Sequence, residues 1–181
     1  LVISDTLRAA NLPTYGYPRQ TAPTLSALAD RSLVIEHAVA QFPGTPQSVS
    51  QIFTGHRMPP LLMGARLFAI PSRAIPDNYP VLPRVLKERG YHTAMVSSHY
   101  WWTDDSRLLP MLDETHIVPS EDSYAPFHDL HEPILRVLDN AQDRPLFLTV
   151  HSMDTHGPWA DPEPTWTTGA LPPQYAGYDT D

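Results

Sequence analysis

Short apolar segments alternate with segments of helical periodicity along the chain, and this order constrains the fold more than any other feature. Apolar, β-prone residues predict strands over 1–4, 33–40, 92–98 and 145–151. Helical spacing of apolar residues predicts helices over 24–31, 48–54, 78–89 and 127–140. Strands that alternate with helices usually form a parallel sheet covered by those helices. The sequence therefore predicts an α/β layered fold with a largely parallel sheet.

Capping residues define the ends of two predicted helices. Ser48 begins a Ser-x-x-Gln capping box for the second helix, and Gly55 follows its last residue. Asn78 is predicted to cap the third helix, and Gly90 to end it. Pro83 is expected to fit poorly in that helix, because proline lacks the backbone N–H of a helical residue.

The composition limits the possible classes of function. With 181 residues, 41% of them hydrophobic, the chain is long enough for one domain with a core. Its net charge of −8 argues against a nucleic-acid partner, which requires clustered lysine and arginine. The chain has no cysteine, which excludes disulfides and thiolate metal ligands. Its 21 prolines concentrate at 59–83 and 158–173 and predict long loops.

The two ends of the chain suggest a segment of a longer protein. The first residues already form a predicted strand, and the last seven form a polar, loop-like tail. No apolar run approaches the roughly 18 residues that cross a bilayer. We therefore expect membrane association only through segments outside this chain.

Polar side chains follow three of the predicted strands, where each strand ends. Ligands of open parallel sheets bind beyond the carboxyl ends of the strands, so these side chains are predicted to share one edge. The residues are Asp5 after the first strand, Ser97, Ser98 and His99 after the third, and His151, Asp154 and His156 after the last.

Two of the candidate residues have both a functional and a structural interpretation. The Asp5 carboxylate suits a divalent cation, but it would equally cap the turn at Thr6 and Leu7. Thr45 precedes a short predicted helix, whose N-terminus favours an anion. A metal that lowered the pKa of its hydroxyl would make Thr45 a nucleophile, whereas a plain helix cap explains it as well.

Two further groups leave the same choice open. His151, Asp154 and His156 form a cluster that suits metal or substrate oxygens, although a lone histidine is more often structural. The aromatic residues of 98–105 suit either a pocket lining or packing in the core.

Together these segments resemble proteins of the sulfatase/alkaline phosphatase superfamily. The matching motifs occur in the order expected of that superfamily. They are the opening of the chain, a block that ends in Thr-Gly with Thr45 ten residues before its glycine, and two later motifs. The matching segments are Asp5-Thr6-Leu7-Arg8-Ala9, Tyr15-Gly16, Thr21-Ala22-Pro23-Thr24-Leu25, Thr54-Gly55, Gly90-Tyr91-His92-Thr93-Ala94 and Asp154-Thr155-His156-Gly157-Pro158-Trp159.

The resemblance implies an alkaline-phosphatase-like fold, with residues 1–181 as the N-terminal portion of a sulfatase-like catalytic domain that is incomplete at its C-terminus. It implies a metal-dependent hydrolase or transferase of anionic sulfate or phosphate esters. Asp5 would bind a divalent metal ion (Zn, Mn, Mg or Ca), and Thr45 would be the nucleophile beside it. His156 would contact the anionic group of the substrate. His99 lies one position out of register with a substrate-binding histidine.

Departures from the family pattern separate the possible activities. Thr45 replaces the cysteine or serine that sulfatases convert to formylglycine, and Val49 replaces an arginine. Thr45 instead resembles the threonine nucleophile of related phosphoryl transferases. Ser98 replaces a substrate-binding lysine. A further Asp-His metal pair, which relatives supply far downstream, does not occur before Asp181, so we expect the isolated chain to be inactive.

Three functions remain open on these grounds. The first is hydrolysis or transfer of a phosphate ester through Thr45. The second is sulfuric ester hydrolysis with an unmodified nucleophile. The third is a catalytically inactive pseudoenzyme that binds an anion or a partner. The resemblance also suggests an extracytoplasmic or membrane-tethered location.

Overall fold

Among the residues that the structure describes, four parallel strands form one sheet in the computed structural model. The strands are β1 (Val2–Ser4), β2 (His92–Ser97), β3 (Glu114–Ile117) and β4 (Leu146–Ser152). Their order is β1-β4-β2-β3, and every neighbouring pair is parallel. The carboxyl ends of all four strands therefore lie at the same edge of the sheet.

The structure describes residues 1–57, 79–99, 102, 108–120 and 124–157. The contacts between Cα atoms divide the chain into two compact units. The first unit comprises Leu1–Leu7 and His37–Ala160 and contains the sheet; the second comprises Arg8–Glu36 and Asp161–Asp181. The described part of the second unit contains helix α1 (Pro23–Ala29) and the short 3₁₀ helices Ala9–Asn11 and Pro13–Tyr15.

Helices of the first unit supply apolar side chains to both faces of the sheet. They are α2 (Thr45–Thr54), α3 (Leu82–Glu88) and α4 (His131–Ala141). Successive residues of a strand point to opposite faces. Met95 of β2 therefore packs in one core cluster with Phe53 of α2, whereas Ala94 packs in a second cluster with Val137 of α4. Within the described ranges, no helix has the length and apolar character needed to cross a bilayer.

Most of the predicted elements are confirmed. The strands predicted over 1–4, 92–98 and 145–151 correspond to β1, β2 and β4, and the helix predicted over 24–31 corresponds to α1. The segment predicted as one helix over 127–140 begins as a 3₁₀ helix, Phe127–Leu130, and continues as α4.

The strand predicted over 33–40 is wrong, because the segment is irregular. Its apolar side chains are not buried: Leu33 is 91% exposed, and Ile35 and Val39 are also exposed. The hydrogen-bonding edges of β4 are occupied by β1 and β2, so the segment has no place beside that strand. Apolar β-prone residues form a strand only where a partner strand is available.

Strand β3 was not predicted from the sequence, because its four residues are mostly polar. Glu114 Oε1 accepts a hydrogen bond from His92 Nε2 at 2.5 Å, and Glu114 Oε2 accepts one from Asn140 Nδ2 at 2.9 Å. His116 Nε2 lies 3.1 Å from the same Oε2, and an Arg144 guanidinium nitrogen lies 2.5 Å from His92 Nδ1. This edge strand is therefore held by polar contacts at the amino ends of β2 and β3.

The observed helix starts differ from the predicted ones. Helix α2 begins at Thr45 with Gly44 as its N-cap residue, so the capping box predicted at Ser48 is wrong. Helix α3 begins at Leu82, which places Pro83 in its first turn. The poor fit expected for Pro83 is also wrong, because first-turn N–H groups have no partner within the helix. Asn78 lies outside the described residues, as do positions 59–77 of the first predicted proline-rich loop and all of the second, 158–173.

Candidate active site at the carboxyl edge of the sheet

Three strands bring the candidate residues to one edge of the sheet. The register pairs Ser4 of β1 with Ser152 of β4, and Ser97 of β2 with His151 of β4. Asp5, the residue after β1, continues this pairing by donating its N–H to the Ser152 carbonyl at 3.0 Å. Asp5, His151 and the residues after β2 therefore lie side by side.

The Asp5 carboxylate joins Thr45 to His151. Thr45 Oγ1 donates a hydrogen bond to Asp5 Oδ2 at 2.7 Å, and His151 Nε2 lies 3.1 Å from the same oxygen. Burial raises the pKa of Asp5, but the hydrogen bonds from His151 and Thr45, with the electrostatic effect of the nearby His151 and His156 side chains, outweigh it. The pKa is held below its ordinary value of 3.8, so the carboxylate is ionised at neutral pH.

The backbone around Asp5 is fixed by Thr155, which follows β4. Thr155 Oγ1 donates to the Asp5 carbonyl at 2.5 Å and lies 3.0 Å from Ser4 Oγ. Thr6 Oγ1 in turn donates to the Thr155 carbonyl at 2.5 Å. Thr6 has a φ of 58°, a left-handed conformation that is uncommon outside glycine. Thr155 was only part of a motif in the sequence, and its contacts show that it supports the turn carrying Asp5.

Thr45 is the first residue of α2, where backbone N–H groups and the helix dipole favour negative charge. Its N-cap residue is Gly44, and a Cβ atom at that position would lie 2.7 Å from Oε1 of the buried Gln47 side chain. A side chain at position 44 would therefore require Gln47 to move. The local sequence Gly44-Thr45-Pro46 places the hydroxyl at the helix start, with proline in the first turn.

His151 is fully buried, and both of its ring nitrogens have partners. Beyond Asp5 at Nε2, Trp102 Nε1 donates to His151 Nδ1 at 3.1 Å, and Ser97 Oγ lies 3.2 Å from the same nitrogen. Trp102 also belongs to the core cluster that contains Met95. Of the aromatic group in 98–105, the structure describes only Trp102 beyond His99, and Trp102 has both packing and hydrogen-bonding roles.

His99 lies within the protein, with only 1% of its surface exposed. Its ring stacks on His151 with centroids 5.8 Å apart, and it lies 5.3 Å from the Tyr124 ring. Burial and the neighbouring His151 lower the pKa of His99 from 6.5 to about 4, against an opposing effect of Asp5. His99 is therefore neutral at pH 7, and its predicted role in substrate binding stays a prediction.

His156 is half-buried at the outer end of the same series of rings. The Tyr124 ring lies 5.2 Å away in an edge-to-face arrangement. His156 Nδ1 lies 2.6 Å from the Gly157 carbonyl, which only accepts hydrogen bonds, so Nδ1 carries hydrogen. This leaves Nε2 for other contacts, and the predicted contact of His156 with a substrate anion stays a prediction.

Asp154 and Ser98 have other surroundings. Asp154 Oδ1 accepts the Phe127 N–H at 2.8 Å, so this carboxylate supports the 3₁₀ helix before α4. Ser98 is buried, and its hydroxyl makes no hydrogen bond with any part of the chain that the structure describes. The two histidines and the aspartate predicted as one cluster are thus divided between two structural settings.

The oxygen atoms of Asp5 and Thr45 fit a divalent metal ion as ligands, but they do not complete a site. Carboxylate and hydroxyl oxygens suit Mg²⁺, Mn²⁺, Ca²⁺ or Zn²⁺, whereas Zn²⁺ normally takes at least three protein ligands. Among the described residues, no group of three or more His, Asp or Glu side chains is arranged to hold a metal ion.

Comparison of the sequence with profiles of known protein families identifies the family of this chain. The sulfatase family profile matches residues 1–177. The chain belongs to the sulfatase family. The predicted membership is therefore confirmed, and comparison with curated proteins gives no significant match.

Solved structures confirm the predicted alkaline-phosphatase-like fold. One similar structure is the C-terminal periplasmic domain of EcEptC from Escherichia coli in complex with Zn, with 21% identity and a TM-score of 0.66. A second structure of that domain also has 21% identity, with a TM-score of 0.65. Each match covers 87% of this chain but only 43% and 42% of the EcEptC chains. The sulfatase-family chain thus spans less than half of these domains.

Proposed function

We propose that the protein containing this chain is a metal-dependent hydrolase or transferase of phosphate esters, with Thr45 as its nucleophile. The 2.7 Å hydrogen bond from Thr45 Oγ1 to Asp5 Oδ2 is the observation that supports this proposal most directly. It places a hydroxyl against an ionised carboxylate at the N-terminus of a ten-residue helix.

Asp5 and Thr45 would hold the metal ion, together with ligands beyond the described residues. The Zn bound to the EcEptC domain makes zinc one candidate, beside Mn, Mg and Ca. Such an ion lowers the pKa of a bound hydroxyl and offsets the charge of a phosphate. The N-terminus of α2 would attract the same anionic group, and His156 would contact its oxygens through Nε2.

The chemistry assigned to Thr45 is a displacement at phosphorus. Oγ1 forms a bond to phosphorus, and the bond from phosphorus to the ester oxygen breaks, so that this oxygen leaves with the electron pair. The Thr45 proton moves first toward Asp5 Oδ2, its hydrogen-bond acceptor, and is available to the leaving oxygen. Water or an acceptor alcohol then attacks phosphorus, the bond from phosphorus to Oγ1 breaks, and the proton of the attacking group returns to Thr45 by way of Asp5 Oδ2.

The test compares three chromogenic esters with the complete natural reading frame that includes these residues, purified with Mn²⁺ or Zn²⁺. The substrates are a phosphodiester, a phosphomonoester and a sulfate ester. We expect phosphoester turnover that Thr45→Ala reduces by at least about 1,000-fold, as for other covalent nucleophiles. Thr45→Ser should retain part of the activity because it keeps a hydroxyl.

The control is Thr24→Ala, which removes another threonine from the first turn of a helix, α1, and is exposed. Its activity should equal that of the wild type. Turnover of the sulfate ester alone would favour sulfuric ester hydrolysis. Binding of an anion without turnover of any ester would favour the pseudoenzyme.

We also propose an extracytoplasmic location for the sulfatase-like domain. The proposal is supported by the periplasmic origin of both EcEptC domains. The test adds a protease to cells whose outer layer has been permeabilised while the inner membrane is intact. We expect the protease to cleave the domain under these conditions. Protection until that membrane is opened would contradict the proposal.

A further inference from the structure

A chain of hydrogen bonds extends from the core to the Thr45 hydroxyl. It starts at the Trp102 indole, passes through the His151 ring and the Asp5 carboxylate, and ends at Thr45. The inner two members are inaccessible to a substrate, since His151 is fully buried and Trp102 is 8% exposed. Within this hydrogen-bonded chain, these two side chains act on Thr45 through Asp5.

The donors and acceptors of this chain fix the orientation of His151. An indole N–H only donates, so His151 Nδ1 must accept the hydrogen bond from Trp102 through its lone pair. A neutral imidazole then carries its hydrogen on Nε2, which donates to Asp5 Oδ2. The opposite tautomer would place two N–H groups against each other 3.1 Å apart, and would leave Asp5 facing a lone pair.

Ser97 supports the same arrangement of the ring. The His99 backbone N–H donates to Ser97 Oγ at 3.0 Å, so the Ser97 hydroxyl hydrogen remains available to point toward His151 Nδ1, 3.2 Å away. The hydroxyl and the indole thus both present hydrogen to one nitrogen. The stacked His99 ring restricts rotation of the imidazole out of its plane.

We propose that His151, oriented by Trp102, is a positioning residue that aligns the Asp5 carboxylate with the Thr45 hydroxyl. The inference rests on the proposed nucleophilic role of Thr45. His151 and Thr45 both donate to Oδ2, so the direction of the His151 bond determines the rotation of the carboxylate and the site of the Thr45 hydroxyl. Residues that orient a ligating or reacting group in this way typically change activity by about 10- to 100-fold.

The principal variant is Trp102→Phe, which keeps an aromatic side chain in the core and removes the N–H. We expect kcat for the phosphoester to fall by about 10-fold or more, while KM stays within about twofold, because no substrate contact is lost. His151→Gln keeps a side-chain N–H donor for Asp5 and should retain more activity than His151→Leu. Equal activity in these two His151 variants would overturn the proposal.

The control is His92→Gln, which replaces another buried histidine, at the amino end of β2. Its stability should fall while kcat per folded molecule is unchanged. Thermal unfolding followed by circular dichroism gives the folded fraction of every variant. If His92→Gln lowers kcat as much as Trp102→Phe, the effect reflects general destabilisation and the proposal is wrong.

Nitrogen NMR of the histidine-labelled protein tests the tautomer without any activity. We expect wild-type His151 to show hydrogen on Nε2 and a lone pair on Nδ1, and Trp102→Phe to keep this tautomer with one hydrogen bond fewer at Nδ1, because Ser97 and Asp5 still favour it. Hydrogen on Nδ1 in the wild type would overturn the proposal even if Thr45→Ala is inactive. The expected tautomer in a protein without turnover would instead contradict only the proposed function.

Discussion

At the scale of single residues, the geometry around Asp5 is maintained against a local backbone cost. Thr6 adopts a left-handed conformation, which costs a non-glycine residue roughly 1–3 kcal/mol when imposed by its surroundings. Hydrogen bonds between Thr155 and the backbone or side chains of residues 4–6 offset that cost. A turn of this kind, directly after the strand that ends at Ser4, sets the direction in which the carboxylate leaves the sheet.

Protonation of His99 makes the stability depend on pH. Its pKa is about 4 in the folded protein and 6.5 in the unfolded chain, so the unfolded chain binds more protons between these values. Stability is therefore full above pH 6.5 and falls as the pH is lowered toward 4, by at most about 3 kcal/mol from this group. His99→Phe should flatten this part of the profile.

Urea unfolding at pH 7, 6, 5 and 4.5 measures the contribution of His99. The control is His128→Phe, whose histidine side chain is 80% exposed and should leave the slope unchanged. A wild-type slope that persists in His99→Phe would show that other groups cause the acid sensitivity.

Single-residue roles were only partly predictable from sequence. Asp5, Thr45 and His156 were candidates because they occupy motif positions and strand ends; the structure brings Asp5 and Thr45 together, and the roles of all three stay predictions. The role of Trp102 was not predictable, because its partner His151 is 49 residues away and the pairing depends on how β2 and β4 align. The hydrogen bond between Thr155 and Asp5 was not predictable for the same reason, because the two residues are 150 positions apart.

At the scale of elements, the two edge strands are held differently. Strand β1 pairs with β4 through backbone bonds and carries exposed Val2, whereas β3 is held additionally by the side chain of Glu114. The central strands were predictable because each contains an uninterrupted apolar run, at 94–96 in β2 and at 146–148 in β4. Strand β3 and the irregular 33–40 segment were not, because side-chain polarity alone does not indicate which segments find a partner strand.

Glu114 is predicted to stabilise the edge of the sheet without affecting the active site. Both of its carboxylate oxygens accept hydrogen bonds, from His92 and Asn140. Glu114→Gln supplies one acceptor oxygen instead of two, so we expect the free energy of unfolding to fall by about 1–3 kcal/mol. The activity per folded molecule should not change, because the carboxylate lies at the amino ends of the strands.

Urea unfolding and phosphoester kinetics on the same samples separate these two effects. Glu132→Gln is the control, because Glu132 pairs with Arg136 on the exposed surface of α4. Such a pair contributes little, so its loss should change stability by less than about 0.5 kcal/mol. A loss of kcat in Glu114→Gln that unfolding does not explain would contradict the separation.

At the scale of the whole molecule, the order of the motifs was sufficient to predict the sulfatase family and its fold. It did not show whether this chain supplies enough ligands for a metal ion. The described residues place two candidate ligand oxygens together, those of Asp5 and Thr45, which are fewer than Zn²⁺ normally requires. We therefore expect residues 1–181 alone to be folded but catalytically inactive.

Two measurements on the isolated chain test this expectation. Isothermal titration calorimetry with Zn²⁺ measures metal binding, and assays with the three chromogenic esters measure turnover. Weak or no zinc binding and no turnover are the expected results, with the complete reading frame as the positive control. Tight zinc binding that Asp5→Asn abolishes, accompanied by turnover, would show that residues 1–181 contain all the ligands.

The pairing of β1 with β4 has a consequence for protein synthesis. Val2 pairs with Val150, so the ribosome must add roughly 150 residues before β1, which Asp5 follows, acquires its neighbour. At about 5–20 residues per second, this interval is roughly 8–30 seconds. The apolar residues of β1 stay without their strand partner throughout that interval, and the carboxylate and its histidine come together only when translation of β4 is complete.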